Sequence, residues 1–173
     1  MFDYFSYDAP VESLTLAEST CLALVAEHES GVHGWHLVRA LAPDGEVGRT
    51  WSLSRPLTYR ALDHLEEHGL ITRDRSSRRH LMRVTAEGRR TLDTFLETPV
   101  DHIRDLRTAF LVKCELRRRV GLDIGDLARR QLDHLDTRLD SLIEIDPGDD
   151  IVLAWRSTSA SATREFLRSL GSS

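Results

Sequence analysis

Ser54-Arg55-Pro56-Leu57-Thr58-Tyr59-Arg60-Ala61-Leu62-Asp63-His64-Leu65-Glu66-Glu67-His68-Gly69-Leu70-Ile71-Thr72 contains a helix start, an apolar stripe, a stop and the opening of a strand. Ser54 suits an N-cap, and Pro56 falls in the first turn, where a missing N–H costs nothing. Leu57, Ala61, Leu62 and Leu65 recur at helical spacing as the expected core-facing stripe, and Gly69 supplies the left-handed stop. Leu70-Ile71-Thr72 and Leu81-Met82-Arg83-Val84 then read as two short strands, joined as a hairpin by the polar stretch Arg73–His80.

The chain upstream adds two helices. Thr15-Leu16-Ala17-Glu18 is a capping box, and Ala17, Cys21, Leu24 and Val25 carry a first helix to about His28 before Ser30-Gly31 breaks it. A short helix follows from Gly34 to about Leu41, burying Leu37, Val38 and Leu41, and Pro43-Asp44-Gly45 turns the chain. Downstream, Thr85 caps a fourth helix carrying Leu92, Phe95 and Leu96, which Pro99 interrupts. Three helices, a hairpin and a closing helix are the order of a winged helix-turn-helix. The expected fold is therefore mainly α with a small β component, organised as an N-terminal arm (1–13), a winged unit (14–98) and a helical unit (99–173).

The last unit has a different character. Ile103, Leu106, Phe110 and Cys114 suggest one helix ending at Gly121. Ala128, Leu132, Leu135, Leu139 and Leu142 alternate steps of four and three, the spacing of a coiled-coil seam. Asp146-Pro147-Gly148-Asp149 turns the chain, and Asp150 caps a last helix with Ile151, Trp155, Ala162 and Phe166 on one face. Two amphipathic helices need a cover for their seam. A second copy supplies one, with Leu132, Leu135, Leu139, Leu142 and Trp155 at a homodimer interface; folding back onto the winged unit is the alternative.

The net charge is −5, an odd value for a protein that meets nucleic acid. Its distribution is uneven: Arg49–Arg90 holds ten Arg against five acids, giving +5 and leaving −10 elsewhere. One reading is a segment that faces a polyanion, the other a solvated basic face. Cys21 and Cys114 lie far apart in apolar stretches, which suits two reduced core thiols in a cytoplasmic protein. The start carries acids and no basic region, so it does not read as a signal peptide, and no apolar run suits a membrane span.

Certain stretches, taken together and in order, resemble the PadR family of bacterial transcriptional regulators. They are His33-Gly34-Trp35-His36-Leu37, Trp51-Ser52-Leu53-Ser54, Tyr59-Arg60-Ala61-Leu62-Asp63-His64-Leu65-Glu66, Gly69-Leu70-Ile71 and Arg83-Val84-Thr85-Ala86-Glu87-Gly88-Arg89. The acidic, Leu-rich tail looks like that of the longer subfamily, whose C-terminal domain dimerises. The helix start Ser54–Tyr59 departs from the commoner pattern with Thr two residues before Tyr. The resemblance implies a sequence-specific regulator, a repressor and not an enzyme, that binds a pseudo-palindromic operator in double-stranded DNA as a homodimer. It also implies a small aromatic effector near the dimer interface, for which Phe110, Trp155 and Phe166 are the candidate lining. No cofactor or metal is implied.

A recognition helix enters the major groove by its N-terminal half. The expected DNA contacts on the third helix are accordingly Ser54, Arg55, Thr58, Tyr59 and Arg60, with Ser52 flanking and His33 a weaker candidate. Arg55 leads for a base edge because its fork matches guanine O6 and N7. In the hairpin, Arg73, Arg75, Arg78 and Arg79 are candidates for phosphates or a narrow minor groove. A competing function, a winged-helix scaffold for protein contacts without DNA, would not need this density of Arg. His64-Leu65-Glu66-Glu67-His68 matches an inverted zinc-peptidase pattern, but it coincides with the end of the recognition helix, and no third ligand is evident. Solvated histidines are the plainer reading.

Overall fold

A computed structural model describes residues 14–76 and 80–172. The expected arm, with Phe2, Tyr4, Phe5 and Tyr7, and the hairpin-tip residues Ser77, Arg78 and Arg79 lie outside the described residues. Helix α1 (Leu16–Ala26) opens with the capping box: Thr15 Oγ1 accepts from the Glu18 N–H, and Glu18 Oε2 accepts from the Thr15 N–H at 2.7 Å. It is buried on all sides from Ser19 to Val25. After it come β1 (Val32–His33), α2 (Gly34–Ala40), α3 (Arg55–Glu67), β2 (Ile71–Asp74), β3 (Leu81–Val84) and α4 (Ala86–Glu97).

The sheet is antiparallel with order β1-β3-β2, pairing Val32 with Met82 on one side and Arg73 with Met82 on the other. β1 has no counterpart in the sequence reading, because a two-residue strand is too short to show alternation. Gly69, at φ +67°, stops α3 as expected. Thr85 then receives the Gly88 N–H on its hydroxyl oxygen and donates to the Gly69 carbonyl at 2.8 Å, so the start of α4 is locked to the end of α3. Cys21, Leu22, Val25, Leu37, Leu41, Leu62, Leu65 and Ile71 form the centre of this first core. The result is a winged helix, mainly helical with a small sheet.

Beyond Pro99 the expected single helix is divided. A 3-10 turn covers Ile103–Arg107, Thr108 leaves the helical region at φ −128° and ψ −82°, and α5 runs Ala109–Arg119. The break turns the chain between Leu106 and Phe110, both of which enter a second core. Val112 and Leu116 of the same helix belong to the first core, so α5 is buried from both directions.

Helices α6 (Ile124–Ile143) and α7 (Ile151–Gly171) form an antiparallel hairpin. Arg129 reaches the Gly171 carbonyl at one end, and Arg164 reaches the Asp136 and Asp140 carboxylates nearer the turn. This arrangement corrects the expected dimer seam. Leu135 and Leu139 are 1 % and 0 % exposed inside a single chain, in one cluster with Ala160 and Leu167 of α7, while Leu132 and Leu142 pack at its edge. The cover for the leucine seam is the neighbouring helix. On α7 itself, Ile151, Val152 and Trp155 remain exposed and face outward.

Candidate nucleic-acid interface

The front of α3 is built for approach from outside. Ser54 is the N-cap by conformation (φ −69°, ψ 153°), but its side chain makes no capping bond, and the first turn contains no acid. The first-turn N–H groups and the helix dipole therefore face outward without a protein anion. Ser52, Ser54, Arg55, Leu57 and Arg60 are exposed. Leu57, expected in the core stripe, is 50 % exposed, because the first turn projects past the core that Ala61, Leu62 and Leu65 fill.

Two of the expected contact residues serve other purposes. Thr58 is fully buried, and its hydroxyl donates to the Ser54 carbonyl at 3.1 Å, so it cannot touch a ligand without unwinding the helix. Tyr59 is half-buried, its ring packed on Gly34, where an added Cβ would stand 2.9 Å from Tyr59 Cε1. Together His33, Gly34, Trp35, Tyr59, Arg73, His80 and Met82 line a cleft of about 280 Å³ between α3 and the sheet. His33 Nδ1 lies 3.1 Å from the His80 carbonyl, which ties the base of the wing to the start of α2. The Arg55 guanidinium sits 5.8 Å from the Tyr59 ring centre, a cation–π distance.

In the wing, Arg73 is the second correction. Its side chain is only 13 % exposed and is held between Asp63 Oδ1 at 2.9 Å and Glu66 Oε2 at 3.4 Å. Arg75 makes a two-pronged pair with the same Glu66, at 2.7 and 2.9 Å, but its side chain is largely exposed. These pairs fasten the wing to the rear half of α3 and neutralise Asp63 and Glu66 there, while Glu67 stays exposed at the helix end. Among the described residues no carboxylate pairs with Arg55 or Arg60. Asp74 accepts from the Ser76 N–H at 2.8 Å, and the Ser76 bonds hold its carboxyl below the usual carboxylate range.

The histidines of the zinc-like pattern are occupied locally. His64 Nδ1 stands 2.9 Å from Glu18 Oε1, and His68 Nδ1 is bonded to the His64 carbonyl at 2.8 Å. No group of three His, Cys, Asp or Glu among the described residues is arranged to hold a metal. The expected effector trio is not assembled either. Phe110 is wholly buried and meets Phe166 edge-on at 6.4 Å, whereas Trp155 is 73 % exposed. Eleven residues separate Trp155 from Phe166 on α7, roughly 16 Å along the axis.

Helix α5 joins the two units by polar contacts the sequence did not announce. Arg119 pairs with Glu27 at 2.6 Å and also with Glu46, and Arg49 reaches Glu115 at 3.4 Å. Buried Arg117 donates to the Leu96 carbonyl at 3.0 Å and to the Asp123 carbonyl at 2.7 Å. Lys113 is 5 % exposed; it donates to the Thr98 carbonyl and lies 4.6 Å from the Phe95 ring centre. Burial lowers its ammonium to about 8, opposed by the Asp101 charge. Gln131 holds the Val100 N–H and C=O at 2.7 and 2.9 Å, pinning the connecting strand to α6.

No family model matches the chain, and no curated protein matches it. Among solved structures it is similar to Bacillus subtilis PadR in complex with operator DNA, at 17 % identity and a TM-score of 0.47, covering 91 % of this chain and 98 % of that one. The same protein in complex with p-coumaric acid is similar at 17 % identity and a TM-score of 0.46, with the same coverage. A PadR-like transcriptional regulator from Bacillus cereus is similar at 20 % identity and a TM-score of 0.43, covering 88 % of this chain and 94 % of that one.

Proposed function

We propose that this chain is a transcriptional regulator of the PadR type, a repressor that binds a pseudo-palindromic operator in double-stranded DNA as a homodimer. One observation carries the reading: the front half of α3 presents Arg55 and Arg60 without carboxylate partners among the described residues, while Arg73 and Arg75 neutralise Asp63 and Glu66 behind it. The helix is thereby polarised, with its approach end positive and its rear acids Asp63 and Glu66 compensated. A helix entering a groove lined by phosphates needs this distribution. Among the described residues the unpaired cations Arg55 and Arg60 are thus on α3, since Arg73 and Arg75 hold carboxylates, and Arg78 and Arg79 at the wing tip remain candidates for phosphates.

The dimer is supported by Ile151, Val152 and Trp155, three large apolar side chains on one outward stretch of α7. A two-fold assembly would present two copies of α3 to half-sites about one helical turn apart. Footprinting the protein on the DNA upstream of its own gene, followed by titrations across a salt series, tests the whole reading. The expected result is a protected two-part site with an affinity that falls steeply with salt. Arg60→Ala is expected to lower the salt slope by about one per half-site. Binding that is absent or indifferent to salt overturns the reading.

A further inference from the structure

We propose that Leu57 reads the C5-methyl group of thymine in the major groove, so that a thymine in each half-site is part of the sequence this protein selects. The proposal rests on α3 entering the groove as argued above, and adds the chemistry of one base position. Leu57 stands in the first turn of α3 with half its surface in water. Its exposed neighbours are Arg55, Pro56 and Arg60. A branched apolar side chain therefore shares the exposed front of α3 with two guanidinium groups, at a helix end with no acid in its first turn.

That mixture narrows the occupant. An apolar protein groove accounts for Leu57 and Pro56 but leaves both cations facing nothing. An acidic protein surface accounts for the cations and leaves the leucine stranded. The major groove offers acceptor atoms on purines, phosphates on both rims, and one apolar group, the thymine methyl. The acids that would repel it are set back: Asp63 and Glu66 lie farther along α3 and are held by Arg73 and Arg75, and Glu67 is at the far end of the helix.

A selection supplies the operator for the test. A tight-binding duplex is enriched with the full-length chain from a library randomised at its centre. It is then resynthesised with deoxyuridine replacing thymidine one position at a time, which removes only the methyl. Wild-type affinity is expected to fall about four-fold per contacted methyl, and about fifteen-fold when both half-sites are altered. Leu57→Ala is expected to keep the wild-type melting temperature, to bind thymidine and deoxyuridine duplexes equally, and to match wild type on the deoxyuridine duplex. Wild-type binding indifferent to every methyl, or an undiminished methyl effect in Leu57→Ala, overturns the proposal while leaving DNA binding intact. Failure to enrich any duplex over random competitor DNA overturns both.

Discussion

At the scale of single residues, helix α3 is divided between side chains that face out and side chains that hold it in place. Arg55 and Thr58 are three positions apart, yet one is exposed and the other donates its hydroxyl to the Ser54 carbonyl. Arg55→Ala is expected to lower affinity for the selected operator by roughly 10- to 100-fold and to relax one base position, measured by binding to single-base operator variants. Lys113 allows a second prediction. Its folded value of about 8 lies below the ordinary 10.5, so between those values the unfolded chain binds a proton that the folded chain has released. Stability attributable to Lys113 therefore rises with pH across that window. The stability difference between wild type and Lys113→Met, from urea unfolding at pH 7.5 and 10, is expected to grow in favour of wild type. The comparison with the variant removes the opposite contribution of Cys21 and Cys114, whose thiols burial pushes up to about 12 and about 11. Leu57 shows why residue roles were only partly legible: spacing placed it in the apolar stripe, but a stripe does not reveal where the core beneath it ends.

At the scale of elements, caps and stops were the most legible features. Thr15, Thr85 and Asp150 each cap the helix they were expected to cap, and Gly69 and Gly148 take positive φ at the turns. Helix α5 was legible through Phe110 and Cys114, but its start was not, because the break at Thr108 has no proline or glycine to mark it, and its second buried side, Val112 and Leu116, was not expected. The hairpin was legible, but the use of Arg73 was not, since its partners Asp63 and Glu66 are brought near only by the fold. Glu66→Gln is expected to speed hydrogen exchange of the β2 amides about five-fold, because Arg73 and Arg75 both lose their shared carboxylate. At the start of α4, a Cβ on Gly88 would overlap the Leu70 carbonyl oxygen, which belongs to the backbone and cannot swing aside. Gly88→Ala is expected to cost about 1–3 kcal/mol, read as a lower urea midpoint with unchanged slope.

At the scale of the whole molecule, the proposed dimer rests on the exposed apolar side chains of α7. Trp155→Glu is expected to give a folded monomer by sedimentation. It should weaken operator binding by at least ten-fold, since the second half-site is no longer held at high effective concentration. The leucine period on α6 identified a buried face correctly but not its cover, because period is a property of one helix and the cover is a property of two. The burial of α5 in both cores has a mechanical consequence. Phe110 and Cys114 are set in one core, Val112 and Leu116 in the other, and Arg117 and Arg119 bolt the same helix to α4 and α1. A twist of this axle at one end must be accepted at the other, so the two units form a single gear train. Any torque applied to the α6–α7 hairpin is expected to reach the winged unit through this one helix.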